Sequence, residues 1–590
     1  MDLGARGQAA SHHWRWWVLA FWVIAAIVLL IVRWQAVTWF SLPDTDDNMR
    51  MSQVRALLAG QDWYDLRQYK LNPPIGYDIH WSRVVDLPLA ALILIIKPFA
   101  GTVIAEKSAV AIAPLLPLLV ALFGTALAVR RLVAPNAFAL GMGLLLFCHT
   151  ALVMFMPLRI DHHGWQLAFL ILTIAGLADP DPRRGGVTMG LASAASLAIG
   201  LELMPFLVIA GAAVVLRWVW QPEDRDRLQR YGVALAIGCA VGFAIFASNA
   251  NRLPRCDVLS PVWLSAMVAA GWLAFLLPLL SRGDWRLRLG AAGLGGAVLV
   301  AGLAFAWPQC LGRPEQISDE LARMWFSHIR EAKPLYAQGW NTVASVVTLP
   351  LIGVVGATLM AWRAWATDRF AVWAPVALVS IVSLALLLWQ TRMGPAAQFL
   401  AIPGATALIW TVVPILSRHG SVLVRTIGVV AAILVFSGIG TQLVVDRLPK
   451  EKVNARMKAI NRANFTCPSL RAMRAVAALP ATTMFTFVDL GPRLITVTHH
   501  RAIAGPYHRN GDAILDVHHA FGGKPEAARA IMRAHGATHL LTCPNMSEST
   551  VYRVRDAGGF YDRLAKGERF DWLTPVPLPR GSPLLLWKIG

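Results

Sequence analysis

The run from Trp16-Trp17-Val18-Leu19 through Phe21-Trp22-Val23-Ile24 to Leu29-Leu30-Ile31-Val32, followed shortly by the loop residues Asp44-Thr45-Asp46-Asp47, decides how the rest of the chain is read. An apolar run of this length spans a hydrocarbon layer about 30 Å thick as a helix. It is too long and too Trp-rich for a cleaved signal, and no small-residue cleavage site follows, so a retained helix is expected. Apolar runs of this kind recur as far as Val444. The candidate spans are 16–34, 108–131, 136–156, 164–179, 186–201, 203–219, 231–249, 259–281, 288–307, 343–363, 370–389, 396–416 and 423–443, about thirteen. The expected fold is therefore a polytopic α-helical membrane protein.

Composition agrees. Of 590 residues, 56% are hydrophobic and 15% charged, with a mean hydropathy of +0.53; soluble domains carry about 25% charged residues. The formal net charge of +20 raises the question of nucleic acid. However, the Arg and Lys residues gather in short loops, as cytoplasmic loops require, and no glycine-rich phosphate loop follows a strand. No nucleic-acid partner is expected, while anionic lipid or a lipid phosphate would suit the surplus charge.

Charge also sets topology. With the apolar stretch 87–103 set aside as an interfacial helix of the first external loop, Arg130-Arg131, Arg183-Arg184, residues 221–227, Arg282 to Arg288, Arg363 to Arg369 and Arg418 to Arg425 all fall inside. The N-terminus is then cytoplasmic and the C-terminus outside, in a bacterial inner membrane. The division expected is a membrane domain over 1–443, with external loops at about 35–107, 157–164 and 308–342, and a periplasmic α/β domain over 444–590. Short apolar runs such as Thr483 to Val488 and Thr538 to Cys543 read as strands there, and Pro525 to Ala537 as a helix. Cys148 and Cys239 lie in apolar runs. Cys256, Cys310, Cys467 and Cys543 lie outside, either as the bridges Cys256–Cys310 and Cys467–Cys543 or as four free thiols.

That topology brings distant polar motifs to one face. The first loop holds Asp44, Asp46, Asp47 and Arg50, then Asn72-Pro73-Pro74-Ile75-Gly76 and Trp81-Ser82-Arg83. The second holds Arg159-Ile160-Asp161-His162-His163, the third Glu331, and a later turn Arg392. Hard divalent ions such as Mg²⁺ or Mn²⁺ prefer several carboxylate oxygens, often with a phosphate completing the shell. Asp44 or Asp46 with Asp161 and Glu331 would meet that preference, and Arg392 would add a bidentate phosphate contact. Each motif also has a plainer reading. Asp44 to Asp47 could cap a helix, Glu331 could be a solvated acid, and Arg392 could snorkel to the interface. The adjacent His162 and His163 would not share a helix face, which argues against a zinc chelate.

The order of these motifs resembles the catalytic subunit of archaeal and bacterial single-subunit oligosaccharyltransferases, of the GT-C glycosyltransferase superfamily. Asp44 to Arg50 resembles the family's first acidic motif, and Asp161-His162-His163 its second. Glu331 resembles the acid of the mobile fifth external loop, and Arg392 the arginine on the lipid-linked phosphate. The resemblance implies a GT-C fold and an inverting, metal-assisted transfer of a sugar or oligosaccharide from a polyprenyl-phosphate or -diphosphate donor. The acceptor would be a glycan, lipid or protein. It assigns Asp44, Asp161 and Glu331 to catalysis and to the metal. Arg392, Asp46, Asp47, Arg50, His162, His163, Trp81 and Arg83 would bind substrate. Phe487-Val488-Asp489-Leu490-Gly491 stands where the family has Trp-Trp-Asp-Tyr-Gly, its reader of Asn-x-Ser/Thr acceptors. Asp489 and Gly491 remain and both tryptophans are gone, so the scaffold is kept while the acceptor reader differs. Asp489, His499, His500, Tyr507, His508, Arg509 and Asn510 would line an altered acceptor site. The alternative activity is a transporter or flippase of lipid-linked glycans. Transporters place charges mid-membrane and show internal repeats; the spans here carry few charges and no repeat is evident.

Overall fold

The computed structural model describes residues 13–281, 283–448 and 454–590; Arg282, grouped above with the basic loops, lies outside them. All thirteen candidate segments are helical. By length and composition, seven helices can cross a membrane, or nine if two bent pairs each count as one span. Three shorter apolar helices, His163–Leu177, Met204–Trp220 and Phe370–Leu386, stand among them. The bent pairs are Phe138–Phe147 with His149–Phe155 (78°) and Val424–Phe436 with Ile439–Arg447 (83°). The stretch 87–103 is more than a separate interfacial helix. It runs into helix Asp86–Ile112, broken only at Gly101, whose φ of 76° suits glycine and interrupts the helical path. The span expected from residue 108 consequently begins at Leu115.

The helices bury one large apolar core, from Val18 through Leu118, Ile171 and Phe206 to Phe399. Outward-facing side chains such as Ile31, Phe99, Val298 and Phe305 are apolar and exposed, as lipid-facing surface must be. The basic loops meet at one end of the bundle. Asp179 pairs with Arg131 (2.5 Å) and Arg184 (2.7 Å), and Asp224 with Arg227 (2.9 Å) and Arg217.

At the opposite end, strands β3 (Thr483–Phe485), β4 (Arg501–Ala502), β5 (His539–Thr542), β6 (Leu573–Val576) and β7 (Leu585–Ile589) form a sheet of order β4-β3-β5-β7-β6. The pairs β3–β4 and β3–β5 are parallel; β5–β7 and β6–β7 are antiparallel. Helices including Gly511–Gly522 and Pro525–Ala534 cover it. Its core does not stop at the C-terminal segment. Met49, Leu71, Tyr77, Ile79 and Trp81 from the first loop and Leu321 from the third belong to the same apolar cluster, so those loops are fixed by burial rather than left free in solvent. His518 is 3% exposed and packs 5.3 Å from the Tyr552 ring.

Both suggested bridges are formed, Cys256–Cys310 and Cys467–Cys543, leaving Cys148 and Cys239 buried as thiols. Alkylation of the unfolded, unreduced protein is expected to label two cysteines, and six after reduction. More than two before reduction would show that a bridge is missing.

Candidate active site

Helix Thr45–Leu58 builds the first wall. Asp44 occupies its N-cap position in extended backbone, but its side chain makes no capping bond. Arg159 draws the carboxylate away instead, with Nη1 donating to Asp44 Oδ2 at 2.8 Å. The helix is polar yet buried from Asp47 to Val54, because it lies between the membrane helices and the sheet. Ser52 Oγ meets Thr496 Oγ1 at 2.7 Å, Arg493 donates to Asn48 Oδ1 at 3.2 Å, and Tyr507 donates its hydroxyl to the Thr45 carbonyl at 2.9 Å. These bonds pin the C-terminal region against the acidic helix.

Arg159 is the hub. Besides Asp44 it donates to Asp47 Oδ2 (3.1 Å) and to Asp161 Oδ2. Asp47 Oδ1 accepts the Asp161 backbone N–H at 3.0 Å, Asp161 Oδ1 accepts that of His163 at 3.0 Å, and His163 Nδ1 lies 3.2 Å from Asp161 Oδ2. Against the cost of burial, Arg159 and His163 hold the Asp161 carboxyl well below the usual range. Asp47 goes the other way: burial outweighs Arg159 and pushes its carboxyl up to about 8. Asp46 is raised well above the ordinary value by desolvation and by the charges of Asp44 and Asp161. Its surface is half-buried, at the wall of an open cavity. Three carboxylates thus share one guanidinium with Asp46 beside them, and, against the cost of burial, Asp161 pushes the His163 imidazole up to about 9.

Beside this cluster lies a cavity of about 590 Å³. Asp46, His162, His163, Glu331, Arg392, Tyr507 and His508 line it, brought from five separate stretches of the chain. Arg392 Nη2 stands 3.8 Å from Glu331 Oε1, and Glu331 is largely exposed, so this pair is loose enough to open toward a ligand. Asp44, Asp47 and Asp161 are not among the lining residues; they sit behind the wall around Arg159. The carboxylate that faces the cavity from the first motif is Asp46, where sequence had favoured Asp44.

The remaining expected residues are placed as follows. Arg50 is buried, pairs with Asp86 at 2.9 Å and lies 4.7 Å over the Trp81 ring. Arg83 is buried and donates to the carbonyls of Trp63 (2.7 Å), Asp62 (3.0 Å) and Asp65 (2.6 Å). These three hold the first loop together, and none opens onto the cavity. His499 and His500 meet the carbonyls of Leu479 (2.7 Å) and Val476 (2.8 Å) beside strand β4, away from the cavity. His508 and Arg509 clamp Asp257, at 2.6 and 2.7 Å. Asp489 is exposed, and desolvation by its surroundings and the nearby Asp44 charge push its carboxyl up to about 6. Gly491 cannot be replaced without strain, because a Cβ there would collide with the Ala504 carbonyl oxygen. Phe487 is fully buried among the rings of Phe521 (5.1 Å) and Tyr561 (5.3 Å) and offers nothing to an acceptor.

Sequence reasoning passed over three acids. Glu202, in the connection between two spans, accepts from His162 Nε2 at 3.0 Å and Gln166 Nε2 at 2.8 Å and lines the cavity. Asp257 is described above. Glu548 accepts the N–H groups of Val488 and Asp489, both at 2.8 Å, and the Tyr552 hydroxyl at 2.6 Å, which fixes the loop carrying Asp489. Each is an isolated acid in sequence; only Glu548, one residue into its helix, carried even a weak positional signal.

The chain has the fold of a multi-pass helical membrane protein, with seven apolar helices among the described residues long enough to span a bilayer, and solved oligosaccharyltransferase structures share that fold. The archaeal oligosaccharyltransferase AglB from Archaeoglobus fulgidus, in complex with an inhibitory peptide and a dolichol-phosphate, superposes with a TM-score of 0.66 at 14% identity, over 95% of this chain and 72% of its own. The same enzyme tethered to an acceptor peptide containing the NVT sequon gives 0.65 at 14% identity, over 98% and 74%. Its complex with Zn and sulfate gives 0.59 at 14%, over 94% and 71%. At such identities the likeness is one of fold. No family model and no curated protein matches by sequence.

Proposed function

We propose that this chain is a membrane glycosyltransferase. It transfers a sugar or oligosaccharide from a polyprenyl-phosphate or -diphosphate donor to an acceptor, with inversion, at the periplasmic face of a bacterial inner membrane. The observation that carries this reading is the cavity itself: Asp46, His162, His163, Glu331 and Arg392, from four distant stretches of the chain, are among the polar residues that converge on it. Arg392 holds the donor phosphate through its planar fork. Asp46 orients the acceptor nucleophile and takes up its proton. Asp161 acts through the wall, holding Arg159 and His163 in place.

The donor set suits a hard divalent cation, since it is rich in carboxylate oxygen. Among the described residues no ready-made chelate is present, and Arg159 bridges Asp44, Asp47 and Asp161 instead. Asp46 and Glu331, which face the cavity, are the residues that would hold Mg²⁺ or Mn²⁺, with Asp161 behind them. Bound there, the ion would neutralise the charge growing on the leaving phosphate.

The test is transfer from a lipid-linked sugar by the purified protein. Activity is expected to vanish in EDTA and return with Mn²⁺ or Mg²⁺. Arg392→Lys is expected to raise the donor KM at least tenfold with a smaller change in kcat, because a point charge cannot replace the bidentate fork. Activity indifferent to EDTA would sink the metal. Movement of lipid-linked glycan across proteoliposomes with no transfer would favour the flippase reading.

A further inference from the structure

We infer that a second polar cavity, beside the candidate active site, is a subsite for uncharged saccharide units. This rests on the glycosyl-transfer reading for its relevance but on separate residues for its chemistry. The cavity measures about 470 Å³, within the range of small-ligand sites. It lies between the two short strands β1 (Arg67–Gln68) and β2 (Tyr77–Asp78), the segment 315–321, and residues 508–515. Asp257, Glu315 and His508 line both cavities, so one extended ligand can occupy the two together.

Two groups in its wall ask for a ligand. Asn510 is 3% exposed, and among the described residues neither its Nδ2 nor its Oδ1 has a hydrogen-bond partner. Tyr77 is 5% exposed, and its hydroxyl likewise lacks one. A buried polar group left unpaired costs about 1–3 kcal/mol, and such groups are rare in native structures. Both line this cavity. An amide needs a donor and an acceptor together, which adjacent sugar hydroxyls supply.

Four of the seven Arg, Asp and Glu residues of the wall are paired with one another, and Arg255, Glu315 and Asp512 carry the rest of its charge. Arg67 holds Asp78 at 2.9 and 3.0 Å, and Arg509 holds Asp257 at 2.7 and 2.8 Å. Such pairs keep oriented polar edges for hydroxyl groups while offering little net charge to a phosphate or a uronate. A peptide would ask for an open strand edge or apolar side-chain pockets; the strands here are two residues long and already paired with each other.

The experiment uses the full-length protein in lipid nanodiscs, tested on an array of neutral oligosaccharides, uronate-containing oligosaccharides and Asn-Val-Thr peptides. Neutral oligosaccharides are expected to bind, and Asn510→Ala is expected to weaken that binding at least tenfold. Asp512→Trp is the second variant: Asp512 is exposed at the cavity wall, so the indole fills the space without disturbing the core, and the same loss is expected. No saccharide bound, binding confined to uronates or peptides, or wild-type binding by both variants would overturn the subsite. Competition by lipid-linked oligosaccharide, but not by lipid-linked monosaccharide, assigns the subsite to the donor glycan; binding indifferent to both assigns it to an acceptor glycan. If saccharide binds as expected and no transfer occurs, the proposed activity fails while the subsite stands.

Discussion

Asp46→Asn is expected to lower transfer by about 10²–10³-fold, the scale of losing one preorganised electrostatic group, and at the same time to raise the thermal stability of metal-free protein. The two effects have one cause. Asp46 faces the cavity with its carboxyl pushed up by desolvation and by the charges of Asp44 and Asp161, and Arg159 is already shared among Asp44, Asp47 and Asp161. The sign follows from linkage: a carboxyl whose folded pKa lies above its unfolded value costs stability at every pH above the unfolded value. Removing its charge therefore relieves the fold. Function is what keeps a destabilising charge in place. Adding Mn²⁺ or Mg²⁺ distinguishes this from simple repacking. The wild type should gain stability with the ion, by about 2.7 kcal/mol at a hundredfold excess over Kd, and the Asn variant should gain much less. Thermal unfolding in EDTA and in Mn²⁺ measures both arms. A variant that is both inactive and less stable without metal would show that Asp46 is a structural acid.

The same residue shows where sequence reading stops. The helical segments were legible, since each apolar run is long enough to state its own conformation, and of the basic loops those of Arg131, Arg184, Arg217 and Arg227 do meet in ion pairs. Choosing between Asp44 and Asp46 was beyond it. Asp44 stands at the extended N-cap and Asp46 in the first turn, and which one faces the cavity depends on how the helix is docked. That docking is set by Thr496, Arg493 and Tyr507, more than 400 positions away. Arg159 was visible in its motif, but its role required knowing that Asp44, Asp47 and Asp161 converge on it. Arg50, Trp81 and Arg83 were expected at the site only from the resemblance of their motifs. Here the loop is buried against the sheet, and they pair internally.

Arg159→Met is expected to destabilise the protein by about 3–5 kcal/mol, the usual cost of removing one partner from a buried ion pair and leaving the other charged. Methionine keeps most of the side-chain volume, so the loss reports charge rather than a hole. Asp161 and Asp47 are both buried, and without the guanidinium they face each other and Asp44 uncompensated. Asp44 is the one acid that can escape, since its side chain is 46% exposed. A double variant tests the electrostatic account directly. Asp47→Asn in the Arg159→Met background should recover part of the loss, because it removes a buried carboxyl, already pushed up to about 8 by desolvation, that the fold must otherwise protonate or hold uncompensated, and it keeps a side-chain oxygen for the Asp161 N–H that Asp47 now binds at 3.0 Å. In the wild-type background the same substitution breaks a contact with Arg159 at 3.1 Å and should bring no comparable gain. The coupling energy from this cycle, read by unfolding of the metal-free protein, should therefore be large. Additive effects of the two substitutions would mean that Arg159 is held by its packing alone.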